Sequence, residues 1–200
     1  MKITLITSGV VLLAFIGVQL FAMSGQNYIE TYPYKVVKKY DSFEIRSYEA
    51  ALFTSVKLSS NQYKEASGKG FSILAGYIFG GNNRNEKIAM TSPVSMSLQD
   101  SMTMMFLVPK KFNKENLPKP NQSQIEFKEE PAKTMAAISF SGWADDKKIK
   151  EHKELLIAAL KAKNIPFTDN FYFLGYNAPY EVLNRRNEVI VELKSGALAE

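Results

Sequence analysis

The chain has 200 residues, 46% hydrophobic and 22% charged, which suits one folded domain that buries a core without cross-links and excludes extensive disorder. It contains no cysteine, so disulfides, thiolate nucleophiles, iron–sulfur clusters and cysteine-ligated zinc are excluded, and one histidine, His152, leaves little for other metal sites. The formal charge of +5 arises from lysines scattered among acids, densest at Lys110–Lys111 and Lys147–Lys150, a solvated basic surface and not a nucleic-acid footprint.

The first element stands apart. Residues 3–23 carry no charge, are mostly Leu, Ile, Val, Phe, Ala and Gly, and follow Lys2. A run of about twenty apolar residues approaches the span of a bilayer, so 1–24 is expected to be a signal peptide, cut near Ala22 and Ser24, or a membrane anchor. With Lys2 on the cytoplasmic side, the domain is expected to be exported, in the periplasm or cell envelope. Residues 25–33 read as a polar linker.

From Tyr34, YKVVKKYDSFEIRSY predicts two strands around the turn Asp41–Ser42, with Val36, Phe43 and Ile45 pointing inward. AALFTSVKL is a third strand, with Leu52, Thr54, Val56 and Leu58 on one face. Ser59, Ser60 and Asn61 supply N-cap chemistry for a helix in which Tyr63, Ala66, Gly70, Phe71, Leu74, Tyr77 and Ile78 recur at helical spacing. Gly68, Gly70 and Gly76 each cost that helix about 1 kcal/mol against alanine, which close approach to a sheet or a ligand would offset. Gly80 and Gly81 stop the helix in a left-handed cap before a polar loop from Asn82 to Asn85. Pro93 keeps Ser92 extended, so KIAMTSPV reads as a bent or edge strand.

SPVSMSLQ and SMTMMFLVP predict two short strands, LPKPNQS a loop, and QIEFKEE and TMAAISFSGW two more strands. Asp145 begins a second helix whose apolar face is Ile149, His152, Leu155, Leu156, Ala159 and Leu160, and which ends before Pro166. FYFLGYN and NEVIVEL finish as strands. The order of strands, helix, strands, given twice, predicts the α+β class with an antiparallel sheet.

Four motifs in order, AGYIFGGN, KIAMTSPV, MMFLVPKKF and GYNAPYEVLNRRNEV, resemble the SOUL family of haem-binding proteins, over about Tyr34 to Leu193. The resemblance implies a distorted antiparallel β-barrel flanked by two helices and built from pseudo-duplicated halves, occupying 34–194 before a tail of 195–200. It implies haem, or a related tetrapyrrole, held non-covalently in an apolar pocket between the first helix and the loop before the last strand, with basic residues near the propionates. The matching segments are Phe71 to Ile78 and Tyr176 to Arg186. Methionines that the best-known animal member projects from its first helix correspond to Ser72 and Gly76, and a lysine near the last turn to Glu181, which implies a smaller and less basic pocket.

The candidate binding residues are Phe71, Leu74 and Ile78 on the helix, Met90 and Met104 among the clustered methionines, Tyr176, and the pair Arg185 and Arg186, whose guanidinium forks suit carboxylates. Core packing is the alternative for the apolar side chains, and an ion pair with Glu188 or Glu181 for the arginines. His152 is the candidate iron ligand or general base, with a half-exposed surface histidine as the alternative. No catalytic residue is expected, since there is no Cys–His pair, G-x-S-x-G elbow, P-loop, Rossmann glycine fingerprint or H-E-x-x-H. The expected function is non-enzymatic haem or tetrapyrrole binding, as carrier or buffer in the cell envelope. The alternatives are an enzyme acting on amphipathic esters or porphyrin derivatives in the same cleft, and an envelope scaffold with a vestigial pocket.

Overall fold

A computed structural model describes residues 29–99 and 101–197, so the expected signal peptide or anchor lies outside the described residues. Among those described, no helix is long and apolar enough to cross a membrane. The elements are β1 (Glu30–Thr31), β2 (Tyr34–Lys39), β3 (Glu44–Tyr48), β4 (Ala51–Lys57), α1 (Tyr63–Ile78), β5 (Thr91–Ser92), β6 (Val94–Ser97), β7 (Thr103–Leu107), β8 (Ile125–Glu130), β9 (Lys133–Ser141), α2 (Asp146–Ala162), β10 (Phe167–Gly175) and β11 (Arg186–Leu193).

Nine strands form one curled half-barrel sheet in the order β2-β3-β9-β11-β10-β6-β7-β4-β8, with every neighbouring pair antiparallel. The pseudo-duplication lies in this order. In one half, β4, α1, β6 and β7 give the spatial series β6-β7-β4; in the other, β9, α2, β10 and β11 give β10-β11-β9. The halves meet at the β6–β10 pair. The fourth position is filled from different places in the chain, by β8 beside β4 and by β3 beside β9. The α+β class and the two flanking helices are therefore as expected.

Both helices cover the same face. Phe173 of β10 packs in the α2 cluster, its register partner Met96 of β6 packs in the α1 cluster, and partners across a ladder share a face. The α1 cluster holds Val56, Leu74, Tyr77, Ile78, Met96, Met104 and Phe106; the α2 cluster holds Ile45, Ile138, Leu156, Leu160, Phe171, Val189 and Val191. The alternate residues turn the other way. Tyr48, Met135, Leu174 and Ile190, with Phe53, Met105 and Leu107, form a second layer on the opposite face. Tyr32 joins this layer from the segment before the sheet, its ring centroid 4.7 Å from Tyr48 and 5.1 Å from Phe53. Part of the expected linker is thus ordered, and β1 pairs in parallel with β5.

Several expectations need correction. Val36 is 50% exposed, because β2 is an edge strand that neither helix covers, whereas Phe43 and Ile45 are buried. Leu155 is also half exposed; the face of α2 that packs is narrower, with Ile149, Leu156 and Leu160. The N-cap of α1 is Gln62, which makes no side-chain cap, and Ser60 accepts from the Gln62 N–H and donates to Glu65 without capping the helix N–H groups. The first N–H groups of α1 are satisfied from the other half of the fold, where Asp146 accepts from Tyr63 (2.5 Å) and Lys64 (3.3 Å). Of the helix glycines only Gly70 marks a close approach, since a Cβ there would lie 2.9 Å from Leu58 Cδ1 and 3.1 Å from Met104 Cβ.

Candidate functional site

The helix-side candidates collect around α1. Leu74, Ile78 and Met104 are core residues in one buried cluster, with Phe71 and Met90 half-buried at its margin and the Phe71 ring 5.5 Å from Phe106. The clustered methionines divide by strand alternation: Met104 packs under α1, while Met105 faces the opposite layer. On the outward face of α1, Gly68, Lys69, Ser72 and Gly76 are exposed. A Cβ at Gly68 would meet no atom within 4 Å, and one at Gly76 only Gln122 Nε2 at 3.9 Å. This face is open at both glycines, with the Lys69 side chain between them.

The stop of α1 is tight for two different reasons. Gly80 has φ +113°, a conformation glycine adopts without a Cβ penalty, and a Cβ on Gly81 would sit 2.6 Å from the Gly76 carbonyl oxygen. Asn82, which the sequence shows only as one polar loop residue among several, is 1% exposed and wires the turn. Its Nδ2 donates to the carbonyls of Tyr77 and Glu86, and its Oδ1 accepts from the N–H groups of Arg84 and Glu86.

Tyr176, Arg185 and Arg186 lie at the loop between β10 and β11, where the two arginines diverge. Arg186 pairs with Glu188 at 2.6 Å, donates to the Tyr34 hydroxyl at 3.1 Å and lies over the Tyr176 ring. The Tyr176 hydroxyl donates to Glu188 at 2.8 Å; burial first, and then the Glu188 charge, push its pKa far above the usual phenol range. Arg185 instead takes backbone. Its Nη1 donates to the carbonyls of Ala178 (2.9 Å) and Glu181 (2.5 Å), its guanidinium stacks 4.0 Å from the Trp143 ring, and its buried Nε has no partner. Partial burial lowers the Arg185 pKa from its ordinary value, against the pull of nearby Tyr63 and Glu181. Arg185 thus braces a loop whose Tyr180, Val182 and Leu183, like Trp143, are exposed.

Behind Arg186 is a network that pattern reading could not find. Glu188 and Arg46, 142 residues apart, are 0% and 2% exposed and form a two-pronged pair at 2.8 and 3.0 Å, with Ser139 Oγ donating to the same carboxylate. Burial alone would raise the Glu188 carboxyl; the hydrogen bonds and charge of Arg46, joined by Arg186, hold it below the usual range. Arg46 carried no local signal beyond its alternation in β3.

The structure therefore does not bring the eight candidates into one cleft. A cavity of about 30 Å³ lies on the face opposite the helices, among Tyr32, Phe53, Glu130, Lys133 and Tyr172, and none of the eight lines it. Pockets for small-molecule ligands start at about 300 Å³, so a haem cannot enter it as it stands. His152 is half-buried, with Nδ1 donating to the Lys148 carbonyl at 2.8 Å and its ring stacked 4.2 Å from Phe140. Among the described residues no group of three His, Cys, Asp or Glu is placed to hold a metal.

The family model described as SOUL heme-binding protein matches residues 29–192. Heme-binding protein 2 of Homo sapiens is 30% identical over 157 residues, covering 74% of this chain and 76% of that protein. Heme-binding protein 1 of Sus scrofa is 28% identical over 173 residues, covering 80% and 91%. Among solved structures, the EcmrR C-terminal domain superposes with a TM-score of 0.61 at 11% identity over 80% of this chain and 98% of that one, a likeness of fold alone. With a family model spanning the whole sheet and both helices, the chain belongs to the SOUL haem-binding protein family.

Proposed function

We propose that the protein binds haem or a related tetrapyrrole non-covalently at its surface, without turnover, as a carrier or buffer in the cell envelope. The observation that carries this reading is the open outward face of α1, bare at Gly68 and Gly76, on a helix whose first residue, Tyr63, feels the charge of Arg185. A flat ligand has room there and none in the cavity on the opposite face. The side chain of Phe71, half-buried, flanks this face; Leu74, Ile78 and Met104 act beneath it by fixing the helix to the sheet. Arg185 is the cation offered to a propionate, because its hydrogen bonds go to carbonyl oxygens and not to a carboxylate, with Glu181 acting on it only through its nearby charge. Arg186 is already neutralised by Glu188. Bound haem would contribute the iron, and the chain's part is to hold and orient the macrocycle.

Family membership supports this reading, as do relatives named for haem binding. The enzyme alternative depends on His152 as base, and that ring is held between α2 and β9 by Lys148 and Phe140. Export, and anchoring through residues 3–23, form part of the proposal and rest on the uncharged apolar run.

Titrating haemin into the full chain should give a saturable Soret shift at micromolar concentration. Arg185→Ala should weaken it by about tenfold, the worth of one charge-assisted contact, while His152→Ala leaves the Soret position unchanged. Absence of saturation would sink the proposal.

A further inference from the structure

The exposed apolar side chains are not spread evenly. Trp143 is 54% exposed, Tyr180 63% and Leu183 53%, and the three belong to two loops that Arg185 joins through its stack on Trp143 and its bonds to the Ala178 and Glu181 carbonyls. Asn187 adds a further tie, donating to the Gly142 carbonyl beside Trp143 at 2.8 Å. The result is a held platform of aromatic and aliphatic side chains. Basic residues border it: Lys148 Nζ donates to the Trp143 carbonyl, and Lys147 is exposed next to it. Tryptophan and tyrosine with flanking lysine and arginine is the composition of a membrane–water interface. The acids of the same region are turned to other partners: Asp145 caps α2, Asp146 caps α1, and Glu181, within the loop tip itself, is 7% exposed and accepts from Asn177 Nδ2 at 2.8 Å.

The way the chain enters the domain selects the occupant. Tyr32 is pinned by its ring contacts with Tyr48 and Phe53 and by its N–H donating to the Ser92 carbonyl. Ser92 Oγ in turn donates to the Tyr176 carbonyl, so the entry point adjoins the root of the β10–β11 loop. Tyr32 is the ninth residue after Met23, where the uncharged run ends, which limits the tether to about 30 Å at full extension. A domain of this size has a radius of gyration of about 15 Å and a diameter near 40 Å. The tether is too short to let the far side of the domain face the bilayer.

We propose that Trp143 and the tip of the β10–β11 loop, Tyr180 to Leu183, rest on the bilayer into which residues 3–23 insert, so that the domain is docked on the lipid surface and does not swing freely from its anchor. The docking rests on the anchor reading of residues 3–23; it requires no bound haem, although it shares the Arg185 brace with the proposed haem contact.

Trp143 is the only tryptophan of the chain, so intrinsic fluorescence reports on this platform alone. The full chain is reconstituted in vesicles of phosphatidylethanolamine and phosphatidylglycerol, and association is checked first by flotation after an alkaline wash. Replacing the acyl chains with brominated ones should quench most of the Trp143 emission, and aqueous iodide should have little effect. Leu183→Asp should restore the emission and the iodide sensitivity while the chain still floats. Emission open to iodide and indifferent to bromolipid in a floating chain overturns the docking and leaves the anchor standing. Emission shielded from both quenchers also overturns it, pointing to a second copy or another protein on the platform. A chain that does not float overturns the anchor, and the docking with it.

Discussion

Arg46 and Arg185 are both partly or wholly withdrawn from water, and they are satisfied in opposite ways. Arg46 faces a carboxylate that is itself buried, and Ser139, Tyr176 and Arg186 complete the coordination of that carboxylate. Arg185 faces carbonyl oxygens and an indole ring. The first region is closed, with its charges balanced within the protein. The second holds a loop in shape with its guanidinium hydrogen-bonded to no carboxylate, and it is surrounded by exposed apolar side chains. The contrast separates a part of the sheet built for stability from a part built for contact.

The largest expected effect breaks the closed region. Arg46→Ala leaves Glu188 buried without its main partner, a change that costs about 3–5 kcal/mol when one member of a buried pair is removed. Urea denaturation should read this as a lower midpoint with an unchanged slope. The pH dependence has a defined sign. In the native chain the folded Glu188 pKa lies below its ordinary value of 4.5, so this group's contribution is present above about pH 4.5 and fades as pH falls through the folded pKa. In Arg46→Ala burial is opposed by Arg186 without Arg46, so that pKa rises above its native value and the deficit against the native chain should shrink on acidification. A deficit that stays constant from neutral to acid pH would show that Glu188 does not depend on Arg46.

The two regions also differ in how far the sequence reveals them. Strand alternation and helical spacing place β3, β4, β9, β11 and both helices, because burial on one face imposes a period that a single segment records. Asp145 is legible as a cap for the same reason, the N–H that donates to it lying three residues on, at Lys148. What the sequence conceals is pairing at a distance. Glu188 finds Arg46, and Asp146 caps a helix 82 residues away at Lys64, through the meeting of the two halves, which no local pattern encodes. Val36 misled because alternation in an edge strand resembles alternation in a covered one. At the candidate site, the GYNAPYEVLNRRNEV motif marks the β10–β11 loop. It could not show that neighbouring arginines leave the strand on opposite sides, or that Leu74 and Met104 lie beneath the surface and not on it.

A smaller effect should sharpen the same contrast within α1, where glycine serves two ends. Gly70→Ala gains about 1 kcal/mol of helix propensity but drives a methyl against Leu58 and Met104, and overpacking of this kind costs about 1–3 kcal/mol. A net loss of about 1 kcal/mol is expected in urea denaturation, the Met104 Cβ being fixed by β7 and unable to retreat. A gain would mean that the packed side of α1 yields more readily than its 3.1 Å contact implies.

The smallest effect has the opposite sign. Gly68→Ala meets no atom within 4 Å, so the propensity gain of roughly 0.5–1 kcal/mol should appear nearly whole in the unliganded chain. The open face makes this substitution informative twice. If a flat ligand lies against the helix at Gly68, the added methyl stands in its place, and binding to the native state, which stabilises by mass action, is weakened. The advantage of Gly68→Ala measured without haemin should therefore shrink or reverse in its presence, while the penalty of Gly70→Ala, on the packed side, stays the same. An advantage that survives saturating haemin would move the ligand off this face and leave the Arg185 loop as the part of the surface still to be matched to it.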